Sequence, residues 1–374
     1  MNDLNLISII IPCRNEEQFI GKCLDSVISN DYPKEKVQLL VVNGMSEDLT
    51  GRIVESYQNR YPFIKVLKNP QRITSCALNL GIESSKGDLI LWLSAHNEYE
   101  KGYISKCVKY LNKYDADAVG GIIEPIPRRN NLIGRAVCIA LSHPFGVGNS
   151  AHKTGVNKPQ WTDTAFGTCY KREVFNKIGT FNENLVRGQD MEFALRLKKA
   201  GLRNLLVPEI KSYYHTRSDL NSLWRHYWKN GAWAILPFLY SEVMPVSWRH
   251  LVPLVFVSSL IVFGLLGLVE KLFLWIVLGI TVIYVIANLT ASSQIAWRER
   301  DFKYLVVLPL VFVVLHVSYG LGSVWGSIRF LTTLDFWKKF IRKYVSHSDI
   351  SEKKNSFILT FLATCISLLK IIFQ

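Results

Sequence analysis

The chain has no Cys-x-x-Cys pair. Its seven cysteines, Cys13, Cys23, Cys76, Cys107, Cys138, Cys169 and Cys365, are scattered and odd in number. That spacing excludes a zinc ribbon and argues against a disulfide framework, so reduced, buried thiols are expected. Acidic residues are also scarce: 30 Asp and Glu stand against 44 Lys and Arg, a formal charge of +14. A basic excess can serve nucleic acid, anionic lipid or phosphorylated substrates. With no finger spacing and no basic repeat, nucleic acid is not expected as a partner. The first residues, "MNDLNLISIIIPCRN", lack a basic stretch followed by a long apolar core. A signal peptide is therefore not expected, and the first domain is expected in the cytosol. The loops "PCRNEE" and "NGMSEDLT" lack the GxGxxG pattern, which argues against a dinucleotide site.

What is present is regular alternation. Over residues 6–98, short apolar runs ("LISIII", "VQLLVVN", "FIKVL", "DLILWLS") alternate with helical patterns ("QFIGKCLDSVIS", "SEDLTGRIVESYQNRY", "ITSCALNLGIESS"). Continuous apolar strands separated by helices predict an α/β fold: a mostly parallel, Rossmann-like sheet with helices on both faces. A helix (Ile104 to Tyr114) and a strand, "ADAVGGII", continue the pattern. Residues 125–162 are rich in Gly, Pro, Asn and Ser and read as a long loop, a common form for a functional lid. "GQDMEFALRLKKAG" reads as a helix stopped by Gly201.

The composition then turns apolar. Residues 251–269, 272–289 and 304–322 each approach the ~20 apolar residues that span a bilayer. Before them, "WAILPFLYSEVMPVSWRH" is aromatic and broken by prolines, as an interfacial segment is. The basic loop "WRERDFK" fits the cytosolic side, and so does "FWKKFIRKY" further on. Both can be cytosolic if 304–328, carrying Gly320, Gly322 and Gly326, is a re-entrant hairpin. The expected domains are 1–230 (α/β, cytosolic), 231–250 (interfacial), 251–330 (transmembrane or re-entrant helices) and 331–374 (a basic segment and a marginal apolar helix carrying Lys370). The expected location is the plasma membrane, with several crossings.

Ligands in parallel α/β sheets bind at the carboxyl ends of the strands. The two polar loops lie there, although Asn, Ser, Asp and Glu also serve as ordinary helix caps. Arg72 precedes a helix N-terminus, a pairing suited to a diphosphate or simply to solvent. Asp190 falls in the first turn of its helix, where a carboxylate is favourable as structure and usable as a general base. Glu192 and Arg196 are spaced for an i,i+4 ion pair.

The order of these pieces is more specific than any one of them. "SIIIPCRNEE", "LLVVNGMSEDLT", "NPQRITSCALNLGIESSKGDLILWLSAH", "GQDMEFALRLKKAG" and "LWRHYWKNGAW" together resemble the family 2 glycosyltransferases of GT-A fold, over roughly residues 6–235. "SAH", "FGVGNS", "DTAFGTCYKREVF" and "GQDMEF" are most similar to the succinoglycan-type exopolysaccharide transferases with a C-terminal membrane region. The resemblance implies a nucleotide-sugar donor, foremost a UDP-sugar, and a lipid-linked or polysaccharide acceptor. It implies that Pro12, Arg14, Asn15, Glu16 and Asn43 border the nucleotide, Asn43 replacing a usual aspartate. Arg72 then faces the diphosphate, and Asp190 deprotonates the acceptor hydroxyl in a single displacement that inverts the anomeric configuration. Gln189, His215, Arg217 and Arg225 fall on the acceptor or diphosphate side.

The family's acidic motif holds Mn²⁺ or Mg²⁺ on the diphosphate, and here Ser94 stands at its first acid. If strand alternation persists, residues 94, 96 and 98 share a face. His96 and Glu98 then become the expected metal ligands, with Ser94 bonding a ribose or phosphate oxygen. Two alternatives stay open: a catalytically silent nucleotide-sugar-binding homologue, and a transferase that loads a single sugar directly onto polyprenyl phosphate.

Overall fold

The computed structural model describes residues 4–241 and 248–333. In chain order these give β1 (Ile7–Cys13), α1 (Ile20–Ile28), β2 (Val37–Asn43), α2 (Thr50–Arg60), β3 (Ile64–Lys68), α3 (Thr74–Ser84), β4 (Leu89–Trp92), β5 (Asn97–Tyr99), α4 (Tyr103–Tyr114) and β6 (Ala118–Pro127). There follow α5 (Leu132–Ser142), α6 (Pro144–Val147), α7 (Ala151–Thr154), β7 (Gln160–Trp161), β8 (Phe166–Lys171), α8 (Arg172–Ile178), α9 (Gln189–Lys199) and β9 (Asn204–Thr216). Four further helices are α10 (Leu220–Ile235), α11 (Trp248–Leu266), α12 (Leu272–Glu299) and α13 (Tyr304–Leu331). Contacts divide the chain into two units, Met1–Leu223 with Ile283–Val314, and Trp224–Val282 with Leu315–Gln374.

In the first unit the strands run β3-β2-β1-β4-β8-β6-β9-β5, with β7 on β9. The half built from residues 7–92 is wholly parallel, as the apolar runs require. Beyond β4 the sheet is mixed: β8 enters antiparallel between β4 and β6, while β6 and β9 are parallel. This change of direction is a tertiary event that strand composition does not record. Ile7, Ile9 and Ile11 of β1 point to one face and meet Ile20, Leu24 and Val54, while Ile10 meets Ala77 and Leu78 on the other. Each such side chain contributes roughly 1.5–3 kcal/mol relative to exposure. Both faces are therefore covered, which explains the unbroken apolar runs.

The stretch 125–162 is more regular than expected. "LIGRAVCIALS" forms α5, started by Asn131, whose Oδ1 accepts from Gly134 N at 2.7 Å. Asn is a favourable helix cap, and the stretch behind it is apolar enough to bury Ala136, Val137 and Ala140.

Three helices, α11, α12 and α13, are long and apolar enough to cross a membrane by length and composition. They contain 19, 28 and 28 residues. The expected re-entrant hairpin is not formed, because α13 runs unbroken through Gly320, Gly322 and Gly326. These glycines admit close packing instead of ending the helix. A Cβ at Gly322 would strike the Trp228 carbonyl, one at Gly326 the Ala232 backbone, and one at Gly320 the Pro253 carbonyl and Val257. Ser323 Oγ donates to the Gly231 carbonyl at 3.1 Å, so α10 and α13 approach through small residues, as membrane helices commonly do. The segment "FWKKFIRKY" and the last apolar run lie outside the described residues.

Candidate active site

The loops after β1 and β2 are bound to each other. Asn15 takes a left-handed φ of 53°, which asparagine tolerates better than most residues. Its Oδ1 accepts from Glu47 N at 2.9 Å, and its N–H donates to Ser46 Oγ at 3.1 Å. Asn43 Oδ1 accepts from both Ser46 N and Ser46 Oγ, at 3.0 and 2.8 Å. Asn43 therefore acts here as the turn's own acceptor. Arg14 and Arg72 converge on Glu47, at 3.5 and 3.4 Å, with all three side chains largely exposed. Arg72 itself has φ 60°, a strained value for an arginine. Pro12, Arg14, Asn15, Asn43 and Arg72 thus lie at the carboxyl ends of the parallel strands β1 to β3 or in the loops after them, and Glu47 joins them unforeseen.

The second group surrounds the turn after β4. His96 Nδ1 lies 3.1 Å from Glu16 Oε1, and Ser94 Oγ lies 3.1 Å from His96 Nε2. The Tyr214 ring meets the His96 ring edge-on at 5.5 Å. Strand alternation does not persist from 94 to 98. β4 ends at Trp92, a turn closes with Asn97 N donating to the Ser94 carbonyl, and β5 starts afresh against β9. In that register Glu98 lies opposite Tyr213, so its diagonal same-face neighbour is His215. Glu98 Oε1 meets His215 Nε2 at 2.7 Å, with the His215 ring 4.9 Å from Phe19. His96 and Glu98 consequently take different partners, and Glu16 is the carboxylate beside His96.

Asp190 opens α9 behind Gly188, whose φ of 78° reverses the chain at the helix start. The helix is held by the Glu192–Arg196 pair at 2.8 Å, and Arg196 also donates to the Thr180 carbonyl. Phe193 packs on Tyr170 of β8 and stacks on Phe181. Asp190 is exposed to solvent. The protein packed nearby nonetheless pushes its carboxyl pKa up by desolvation, opposed by the amides at the helix start and by Lys153. Asp190 is not among the His96 contacts. Gln189 is buried and its Oε1 has no hydrogen-bond partner. Arg217 Nη1 donates to Tyr214 Oη at 2.8 Å, while Arg225 lies exposed on α10.

An α/β sheet with polar loops gathered at the carboxyl ends of its parallel strands is a frame for binding a nucleotide-type ligand. The comparisons agree. Residues 8–179 match the model described as Glycosyl transferase family 2. The chain carries a family 2 glycosyltransferase domain of GT-A fold, and it is a glycosyltransferase. It is 28% identical to a Methanococcus voltae protein named dolichyl N-acetyl-alpha-D-glucosaminyl phosphate 3-beta-D-2,3-diacetamido-2,3-dideoxy-beta-D-glucuronosyltransferase, over 87% of this chain and 100% of that one. It is 25% identical to the succinoglycan biosynthesis protein ExoA of Rhizobium meliloti (strain 1021), over 84% of this chain and 92% of that one. Among solved structures, the mannosyltransferase PcManGT from Pyrobaculum calidifontis, in complex with GDP-Man and Mn²⁺, shares the fold with a TM-score of 0.54. That match has 17% identity and covers 87% and 88% of the two chains.

Proposed function

We propose that this glycosyltransferase moves a sugar from a UDP-sugar to a polyprenyl-linked glycan or polysaccharide acceptor at the cytosolic face of the plasma membrane, inverting the anomeric centre. The observation that carries the base assignment is Asp190, fixed at the start of α9 with its proton affinity raised by desolvation. A base whose pKa is moved toward the working pH accepts a proton more readily in the transition state. Asp190 takes the acceptor hydroxyl proton, and the freed oxygen bonds to the anomeric carbon. The bond from that carbon to the diphosphate oxygen breaks on the opposite face, and its electron pair leaves with the nucleoside diphosphate. Pro12, Arg14, Asn15, Glu16 and Asn43 border the nucleotide in this reading, and Arg72 faces the diphosphate. Gln189, His215, Arg217 and Arg225 lie toward the acceptor or the diphosphate. The Methanococcus relative's name, which specifies a dolichyl-phosphate-linked sugar, supports a lipid-linked acceptor. Three apolar helices support a multi-pass anchor over 251–330 beside a cytosolic domain of 1–230.

Among the described residues no group of three or more His, Cys, Asp or Glu converges as a metal cage. His96 with one carboxylate, Glu16 beside it or Glu98, would hold Mn²⁺ or Mg²⁺, the imidazole favouring Mn²⁺. Such an ion supplies charge neutralisation to the departing diphosphate. Ser94 in the turn supports a second reading, a silent homologue that binds nucleotide sugar without turnover. The direct loading of polyprenyl phosphate is a third. Purified full-length protein, supplied with UDP-, GDP- or CDP-sugars and acceptor lipids, separates them. Turnover that stops in Asp190→Asn supports the first reading, and binding without turnover supports the second. A single-sugar, acid-labile lipid product supports the third. Acceptor-dependent turnover unchanged in Asp190→Asn overturns the base assignment.

A further inference from the structure

Two arginines from separate loops, Arg128 and Arg217, flank Tyr214 and His215, and a third, Arg187, lies within electrostatic range of Arg217 and Tyr214. Arg128 follows β6, Arg187 stands three residues before Asp190, and Arg217 follows β9. Arg217 Nη1 donates to Tyr214 Oη at 2.8 Å, and Tyr214 in turn abuts His96. Arg128 Nε donates to the His215 carbonyl at 3.3 Å, and its guanidinium lies 4.4 Å over the Phe19 ring. The cluster therefore continues the Glu16–His96 turn toward the start of α9. Enclosure, and then the Arg217 charge, lower the pKa of both Arg128 and Arg187. Glu16 and Asp219 oppose this at Arg128, and Tyr214 does so at both. Arginine does not give up its proton, so the cost of the gathered charge persists. Neither Arg128 nor Arg217 forms an ion pair with a carboxylate among the described residues. Planar guanidinium forks match phosphate oxygens in pairs, and charge-assisted bonds of this kind are the strong ones.

We propose that Arg128, Arg187 and Arg217, with Tyr214, form a site for a substrate phosphate ester. The ester is either the donor's diphosphate or the phosphate of a lipid-linked acceptor. This rests on the transferase reading above and adds to it Arg128 and Arg187, which no motif had marked. Two probes separate the sources: UDP for the donor, and farnesyl phosphate for an isoprenoid phosphate. Binding of each is measured to detergent-solubilised full-length protein, wild type and Arg128→Gln, Arg187→Gln and Arg217→Gln. Loss of one guanidinium is expected to weaken one probe roughly tenfold or more, with Arg→Lys variants losing less. Weakened UDP alone assigns the donor diphosphate, and weakened farnesyl phosphate alone assigns the acceptor phosphate. Weakening of both assigns a site that takes either. Glutamine variants that bind both probes within twofold of wild type overturn the site while leaving the transferase reading intact. Wild-type protein that binds neither probe overturns that reading and the site together. If a glutamine variant does not fold, phenylglyoxal modification of wild-type arginines, mapped by mass spectrometry, decides. Protection of these three by either probe upholds the site, and equal modification with and without both probes overturns it.

Discussion

Asp190 combines two requirements that pull apart. Desolvation raises its proton affinity, which suits a base, while the charged form costs the fold something at neutral pH. With the folded pKa above the unfolded one, Asp190 favours the folded state most at acid pH. That contribution is lost as pH rises through the folded value. Asp190→Asn is therefore expected to cut acceptor-dependent transfer by roughly 10²–10⁴-fold and to leave thermal stability at neutral pH equal or higher. Activity assays and calorimetry on the same preparations check both. In the wild type, the acid limb of the kcat/KM profile is expected at higher pH than an unperturbed aspartate would give. At the strand-end turn, Glu16→Gln and Glu98→Gln separate the two carboxylates. If His96 works with its present neighbour, Mn²⁺ enhancement of UDP binding falls in Glu16→Gln and persists in Glu98→Gln. The reverse outcome returns the ligand role to Glu98.

Single elements carry their own tests. α5 depends on the Asn131 cap, and Asn131→Ala is expected to cost about 1 kcal/mol in denaturant unfolding. α13 depends on glycine at its contact with α10. Gly322→Leu must displace the Trp228 carbonyl, so a loss of roughly 1–3 kcal/mol is expected, read as lowered thermal stability in detergent. Gly279 of α12 has no atom within 4 Å of an added Cβ, so Gly279→Leu should meet no clash and leave stability equal or higher. Reading 304–328, with Gly320, Gly322 and Gly326, as re-entrant followed from placing both basic segments on the cytosolic side. The helix persists because close backbone approach more than offsets glycine's low helix propensity. The long loop expected over 125–162 failed differently: its Gly and Pro content hid an eleven-residue apolar helix. By contrast, β1 to β4 and α1 to α3 were legible, since β1, β2 and β4 are almost wholly buried and the edge strand β3 still carries an apolar run.

For the molecule as a whole, three helices are long and apolar enough to cross a membrane, and the formal charge is +14. The protein is expected to stay in the membrane pellet after alkaline carbonate washing, because burial of the helices is insensitive to salt and pH. A peripheral, charge-held protein would be released, as screening by salt weakens surface attraction. Recovery in the supernatant would remove the anchor from the proposed function. The sequence by itself determined the parallel half of the sheet, the helix beginning at Asp190's turn and the apolar helices. Each follows from local periodicity and composition. Only the tertiary structure decided that β8 enters antiparallel, and that Glu98 turns to His215 while Glu16 reaches His96. It also decided that Arg217 bonds Tyr214 while Arg128 bonds the neighbouring His215 carbonyl. Those pairings join residues up to 117 positions apart, and strand register, which no local pattern encodes, sets which side chains meet.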